Sequence, residues 1–355
     1  MSHSRQPDFA LQCPLPLGDY DTVQLAHGGG GRLMQGLIEG MLLPHFASGE
    51  PLAMPHDSTV LEVGGRRLAF TTDSFVVSPL FFPGGDIGEL AVFGTVNDLA
   101  MAGARPEWLS LGLILEEGLP METLRRVVES IADAARRADV QVVTGDTKVV
   151  DRGKGDGLYI NTAGIGVLQS GVNVGPGRVE PGDAIILSGD LGRHAISIMS
   201  VREGLEFAGA PDSDCAPLAK LVAAMLAEAG DDLHCLRDLT RGGLAAAVNE
   251  IARHRGVGIE LDESAVPVCE GVRGACELLG LDPLHAANEG RLAAFLPMEA
   301  AEDMVETMRA HPDAPGAAIV GCVVEDHPGL VELQSPLGGG RVLDLLSGEQ
   351  MPRIC

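Results

Sequence analysis

Two α/β domains built of thin layers are what this sequence predicts, and three observations carry that expectation. The chain has 355 residues, long for one core and sufficient for two. Aromatic residues are scarce, with one Trp and two Tyr, so small and aliphatic side chains must fill the interior. Strand-like and helix-like apolar patterns alternate, and Gly175-Pro176-Gly177 with Pro181-Gly182-Asp183 mark the entry to a second unit. The expected division is an arm at 1–22, a first domain at 23–170, a second at 171–340 and a flexible tail at 341–355.

In order along the chain, Gly28 to Gly31 precede a helical pattern of Leu33, Met34, Leu37, Ile38, Met41 and Leu42. Arg67 to Val77 reads as a strand carrying Asp73. A helix from about Gly88 to Gly103 carries Asn97 and Asp98. A strand near Leu109–Leu115 and a helix over Met121–Ala138 follow. Val140 to Val143 reads as a buried strand ending at Thr144-Gly145-Asp146-Thr147-Lys148. The second unit opens with the apolar strand Ala184–Leu187 and the turn Ser188 to Gly192 into a helix. Further helices are expected at 216–229, 241–255 and 300–311. After Gly338-Gly339-Gly340, only Val342, Leu343, Leu345 and Leu346 give the tail apolar character.

The net charge of −25 excludes a general binder of nucleic acid or anionic membrane. It leaves room for a nucleotide whose phosphates are bridged to carboxylates by metal ions. The amino terminus lacks the basic patch and apolar run of a signal peptide, and no stretch approaches the roughly 20 apolar residues that span a bilayer. Seven cysteines without paired short spacing give neither a disulfide framework nor a CxxC zinc pattern, so a cytoplasmic protein with free thiols is expected.

Candidate chemistry is spread along the chain. Four glycines before a helix let backbone N–H groups approach phosphate oxygens, although a plain flexible turn explains them equally and no Walker A sequence follows. Asp57, Asp73, Asp98 and Asp146 each sit beside an apolar segment, where carboxylates need partners such as Mg²⁺; capping and turn roles are the alternative. Lys148 balances phosphate charge or is simply exposed. Arg237 to Leu244 combines charges, a turn and a helix start that Asp238 or Thr240 would cap. Glu289, in Asn288-Glu289-Gly290, is a possible base or a loop carboxylate. His27, His56 and His194 lack metal-ligand spacing. Cys355 is the last residue, two positions from Arg353, whose charge favours thiolate while the α-carboxylate opposes it. Ten extended residues reach roughly 33 Å, so this thiol can visit a site in its own or a partner subunit.

These segments, in this order, resemble the HypE family of hydrogenase maturation factors, the carbamoyl dehydratases. The resemblance runs through Ala26 to Gly31, Thr72 to Phe75, Pro79 to Gly85, Gly94 to Asp98, Leu115 to Gly118 and Val143 to Val150. It continues through Arg237-Asp238, Thr240 to Gly243, Ala287 to Gly290 and the closing Pro352-Arg353-Ile354-Cys355, its most specific part. The other motifs are shared with the wider aminoimidazole-ribonucleotide-synthetase-like (PurM-like) ATPases. The resemblance implies a two-domain α+β fold, a homodimer formed through the first domain, and ATP with Mg²⁺ in a cleft of that domain. It places Asp57, Asp73, Asp98 and Asp146 at the metal, with Asn97, Thr147, Lys148 and Gly28, Gly29, Gly30 and Gly31 at the nucleotide. His56 stands where members of the superfamily often carry a second acid. Implied too is a carbamoyl group loaded onto Cys355 by a HypF carbamoyltransferase and dehydrated with ATP to a thiocyanate. Glu289 would act as base and Lys148 would orient oxygen. The cyano group would pass to HypC–HypD and the iron of a [NiFe] hydrogenase. Alternatives are a selenophosphate synthetase, whose glycine loop normally carries a Cys absent between His27 and Arg32, and an ATP-binding scaffold with a docking tail.

Overall fold

The structure is a computed structural model and describes residues 20–46, 56–204, 211–348, 351 and 353–355. The expected arm at 1–22 therefore lies outside the described residues except for its last three.

The glycine run passes from a 3-10 turn (Leu25–Gly28) into α1 (Arg32–Leu37), which continues through a π segment (Ile38–Leu42) to α2 (Leu43–Phe46). Of its apolar stripe Leu33 is buried, whereas Met41 and Leu42 are exposed. Met34 and Ile38 face a cavity rather than a sheet and Leu37 is half-buried, so little of the stripe has a core to cover.

The first sheet is assembled from β1 (Thr59–Val63), β2 (Arg66–Phe75), β5 (Ala104–Glu116), β6 (Gln141–Val150) and β7 (Leu158–Leu168), in the order β1-β2-β7-β5-β6. A short hairpin, β3 (Phe81–Phe82) with β4 (Gly85–Asp86), follows β2. The β5–β6 pair is parallel and the others are antiparallel. Helices α3 (Ile87–Met101) and α4 (Met121–Ala138) supply the core on one face. Alternation follows: in β7, Leu158, Ile160 and Thr162 are buried, while Phe70, Ile165 and Trp108 stand in register on the open face. The expected buried strand after Val140 is corrected here. Val140 is buried, but β6 is the exposed edge of the sheet, with Val142, Val143 and Val149 at 40%, 56% and 66% exposure.

Asp86 caps α3 by accepting from the Gly88 and Glu89 N–H groups at 2.7 and 3.2 Å. Nearly every side of this helix is buried, because it lies between the first sheet, α4 and elements of the second domain. That is why its sequence is apolar all round.

The second domain contains β8 (Asp183–Leu187), α5 (Arg193–Arg202), α6 (Ala219–Ala229), β9 (Cys235–Asp238), α7 (Gly243–Arg255) and β10 (Gly258–Asp262). It continues with α8 (Glu270–Leu279), β11 (Leu292–Pro297), α9 (Ala301–Arg309), β12 (Ala318–Val324), β13 (Val331–Gln334) and β14 (Gly340–Val342). The strand order is β14-β13-β10-β12-β8-β11-β9. Central β8 is buried on both faces: Ile185 and Leu187 join the core with α7, and Ala184 and Ile186 join that with α6 and α9. The expected capping of α7 by Asp238 or Thr240 is not what forms; Gly242 is the N-cap, with φ of 78°.

The described residues of the expected flexible tail, 341–348, 351 and 353–355, are seated on the protein. β14 extends the second sheet, Leu343 and Leu345 are buried, and Met351 and Ile354 join the core beneath the first sheet. Arg32 N–H donates to the Leu346 carbonyl at 3.0 Å, and a Cβ on Gly31 would lie 2.4 Å from that oxygen. Gly31→Ala is therefore expected to cost about 1–3 kcal/mol of stability, read from guanidinium denaturation.

Candidate active site

A cleft forms where the two sheets meet. The first domain contributes Asp57 just before β1, Thr71 and Asp73 from β2, and Asp98 from α3; the second contributes Asp238 and Arg241 to a cavity of about 290 Å³. Asp238 ends β9 opposite Leu292 of β11. The chain then turns through Gly242 and Gly243, both at positive φ. A Cβ on Gly243 would lie 2.6 Å from the Ala286 carbonyl, so the turn can be this tight only with glycine.

The carboxylates outnumber their counter-ions. Arg237 Nε lies 3.0 Å from Asp57 Oδ1 and its Nη2 lies 2.9 Å from Glu250 Oε2. Burial pushes the Asp57 carboxyl up, but the Arg237 charge outweighs it and holds the pKa below the ordinary value. Asp98 accepts from Thr71 Oγ1 at 2.7 Å, yet burial and then the charges of Asp238, Asp57 and Asp73 push it well up. Burial also raises Asp73, and burial with the Asp57 charge raises Asp238 to about 7. Asp57 Oδ2 and Asp238 Oδ2 are buried without hydrogen-bond partners. An oxygen donor set that repels itself and leaves oxygens unpaired fits a hard divalent cation.

A second cavity, about 360 Å³, shares Thr72, Asp73 and Arg241 with the first and is lined also by Gly28, Gly29 and Cys355. Four contacts seat the tail there. Val76 N–H donates to an α-carboxylate oxygen of Cys355 at 3.0 Å, and Arg353 Nε donates to the Val76 carbonyl at 3.1 Å. His194 Nε2 donates to the Ile354 carbonyl at 3.0 Å while Nδ1 accepts from Ser213 Oγ at 2.8 Å. Arg202 Nη2 donates to the Arg353 carbonyl at 2.7 Å. Burial lowers His194 to about 4, so its ring is neutral and this tautomer persists at neutral pH. Burial, then Glu289 and Asp73, raise the Cys355 thiol. Glu289 is 3% exposed with Oε1 unpartnered; burial, then Asp238, Asp73 and Asp214, push its carboxyl well up.

The structure thus brings together Asp57, Asp73, Asp98, Gly28, Gly29, Gly30 and Cys355; Glu289 lines neither cavity, and its charge raises the thiol. Gly31 is occupied by the tail contact described above. Asn97 is not available to a ligand: it is 2% exposed, and its amide serves the Ala216 and Glu289 carbonyls and the Leu218 N–H. Asp146, Thr147 and Lys148 lie on exposed β6, outside both cavities. Lys148 Nζ donates to Asp146 Oδ1 at 2.7 Å and so holds that carboxyl below its ordinary range. In register, Ser74, Asn161, Gly112 and Asp146 form one row, so two strand spacings, about 10 Å, separate Asp146 from Asn161 on the wall of the second cavity. Sequence reasoning assigned no chemical role to Arg237, Asp238, Arg241 or His194. The charge-rich turn from Arg237 to Arg241 was the available signal.

Models of the AIR synthase related protein match both halves of the chain, the N-terminal domain over residues 55–168 and the C-terminal domain over 180–333. Fold and cleft define an AIR-synthase-related, PurM-like protein of two α+β domains. Carbamoyl dehydratase HypE of Azotobacter vinelandii is 54% identical over 334 residues, covering 94% of this chain and 97% of that one. The solved structure of HypE in complex with ATP aligns with a TM-score of 0.79 at 48% identity, covering 94% of this chain and 100% of that one. That of a HypE–HypF complex aligns at 0.82 and 43%, covering 87% and 99%. The chain belongs to the HypE family of carbamoyl dehydratases.

Proposed function

We propose that the protein dehydrates a carbamoyl group carried on its own Cys355 to a thiocyanate, using ATP. The observation that carries this reading is the shared wall of the two cavities, which sets the terminal thiol next to the carboxylate-lined cleft. Bound there, ATP with Mg²⁺ would supply the phosphoryl group that the carbamoyl oxygen accepts. Asp73, Asp98 and Asp238 would hold the cation, with Asp57 tied to Arg237 behind them. In balance, S–C(=O)–NH₂ and ATP give S–C≡N, ADP and phosphate: the oxygen leaves on phosphorus and both nitrogen protons are lost. Glu289, its basicity raised by burial and neighbouring acids, takes a nitrogen proton.

A homodimer across the open face of the first sheet is part of this reading. Phe70, Trp108 and Ile114 are 40–45% exposed there, and a second copy would cover them. The same apposition would let Asp146, Thr147 and Lys148 of one copy face the other's cleft. HypF would load the carbamoyl group and HypC–HypD would take the cyano group for the iron of a [NiFe] hydrogenase. Among the described residues no helix is long and apolar enough to cross a membrane, and we place the reaction in the cytoplasm.

Mass spectrometry of the C-terminal peptide tests the reading, after incubation with carbamoyltransferase, carbamoyl phosphate and Mg-ATP. A carbamoyl addition at Cys355 followed by ATP-dependent loss of one water is the expected result; an unmodified Cys355 would refute it. Cation binding should also depend on pH. Asp238 at about 7 must lose its proton to serve as ligand, so Mg-ATP affinity should rise severalfold between about pH 6 and pH 8, by calorimetry. For folding without ligand the sign is opposite. Between about pH 4 and 7 the folded state binds the extra proton, so stability falls as pH rises.

A further inference from the structure

We infer that Arg241 is a catalytic residue of this reaction, whose guanidinium donates hydrogen bonds to the phosphoryl oxygens as that group moves onto the carbamoyl oxygen and then leaves as phosphate. The inference rests on the dehydratase reading above and adds a residue role to it.

Arg241 lines both cavities, on the wall between the carboxylate cluster and Cys355. Its side chain is exposed to the cleft, within reach of a ligand. The other cations nearby are committed: Arg237 to Asp57 and Glu250, Arg291 to Asp190, and Arg353 to Asp156. Arg241 forms no ion pair among the described residues, although Asp73, Asp98 and Asp238 line the same cavity. Among the described residues its one side-chain hydrogen-bonding contact is Nε to Met34 Sδ at 3.3 Å, which leaves the paired Nη groups of the fork without a partner there.

The backbone beneath it is held by both neighbours. A Cβ on Gly30 would lie 2.8 Å from the Arg241 carbonyl, and one on Gly242 would lie 3.1 Å from the Gly30 carbonyl. The glycine run and the turn before α7 thus lock together, and the space they save brings Arg241 against the nucleotide-facing loop. Arg241 and Cys355 also act on each other's ionisation, the guanidinium lowering the thiol and the thiolate raising the guanidinium.

A planar fork is suited to phosphate because two parallel N–H donors match two phosphoryl oxygens. In the first step the carbamoyl oxygen forms a bond to the γ-phosphorus, and ADP leaves with the electron pair of the broken P–O bond. In the second, the C–O bond breaks, phosphate leaves with that pair, and the nitrogen protons pass to base. Negative charge sits on the phosphoryl oxygens in both steps. Arg241 stands where those oxygens must pass between the two cavities. The surrounding aspartates hold the fork electrostatically without occupying it.

The test uses the full-length protein with Arg241→Gln and Arg241→Lys beside the wild type. Cys355 is carbamoylated either by the carbamoyltransferase or by cyanate, which adds across the S–H bond and makes the loading independent of partner binding. Thermal unfolding and Mg-ATP affinity of the unloaded proteins establish that each variant is folded and binds nucleotide. Single-turnover loss of water from the loaded peptide is then followed by mass spectrometry, and Cys355 alkylation is followed against pH. Arg241→Gln is expected to slow water loss by about 10³-fold, the lower end for an arginine at a transferring phosphoryl group. Its alkylation profile should move to higher pH. Arg241→Lys should restore the alkylation profile, which needs only charge, and recover little of the rate, which needs the fork.

Water loss in Arg241→Gln within tenfold of wild type would overturn the inference and leave the dehydratase reading standing. Full recovery of rate by lysine would also overturn it, since a point charge would then suffice. Wild-type protein that loads but loses no water with Mg-ATP would remove both.

Discussion

Cys355→Ala is expected to yield no thiocyanate at all, while Mg-ATP binds within about twofold of wild type. The thiol lines only the second of the two cavities, and the carboxylates of the first do not depend on it. No other described cysteine can replace it, since none lines either cavity. Cys215 and Cys235 are buried, and burial raises both thiols far from thiolate. The peptide assay reads the loss directly, and calorimetry reads the nucleotide. Residual ATP-dependent dehydration in the variant would mean that another group carries the carbamoyl unit. A tenfold or greater loss of ATP affinity would instead mean that the seated tail builds the nucleotide site.

Arg237→Ala is expected to be the most destabilising single change in the cleft, at about 3–5 kcal/mol. Arg237 is 12% exposed and is the counter-ion of both Asp57, at 7%, and Glu250. Removing it leaves a buried carboxylate against Asp98 and Asp238 with no cation to offset the repulsion. The acid side of the stability profile should change with it. Asp57 sits below its ordinary pKa because of Arg237, so its contribution is present above the unfolded value and lost as pH falls. In the variant that contribution disappears, and acid unfolding should begin at higher pH. Denaturant melts at neutral and acid pH measure both effects. A loss under 1 kcal/mol with unchanged acid behaviour would show that the acids are neutralised by other means.

The legible parts of the fold were those whose information is local. α4 runs from Met121 to Ala138 as expected, since its apolar residues recur on one face and Asp139 ends it at positive φ. α3 was legible as a mainly apolar run carrying Asn97 and Asp98, although its burial on all sides depends on the second domain. The strands β7, β10, β12 and β13 went unread because they are short or interrupted by small residues, and their pairing joins segments far apart in the chain. The candidate site divided along the same line. Asp57, Asp73 and Asp98 stood out beside apolar segments, and topology brings them together. Asp238 looked like a cap because nothing local shows that β9 ends facing α3. Asn97 looked like a ligand because nothing local shows that three backbone groups of the second domain consume its amide. Val142 and Val143 looked like core because an edge strand reads the same as a central one until its neighbours are known.

The seat of the tail has a kinetic consequence. Cys355 lies in a cavity of its own chain, where Val76, His194 and Arg202 donate to the main chain of Cys355, Ile354 and Arg353 and the Arg353 side chain donates to the Val76 carbonyl. The carbamoyl group would therefore arrive as part of the polypeptide, and its local concentration at the cleft would be set by four hydrogen bonds rather than by diffusion. Once loaded, each molecule has a single variable left to saturate, the nucleotide. Turnover would then be counted per molecule rather than per collision, and the protein would behave as a stoichiometric cartridge that must be emptied and refilled before it fires again.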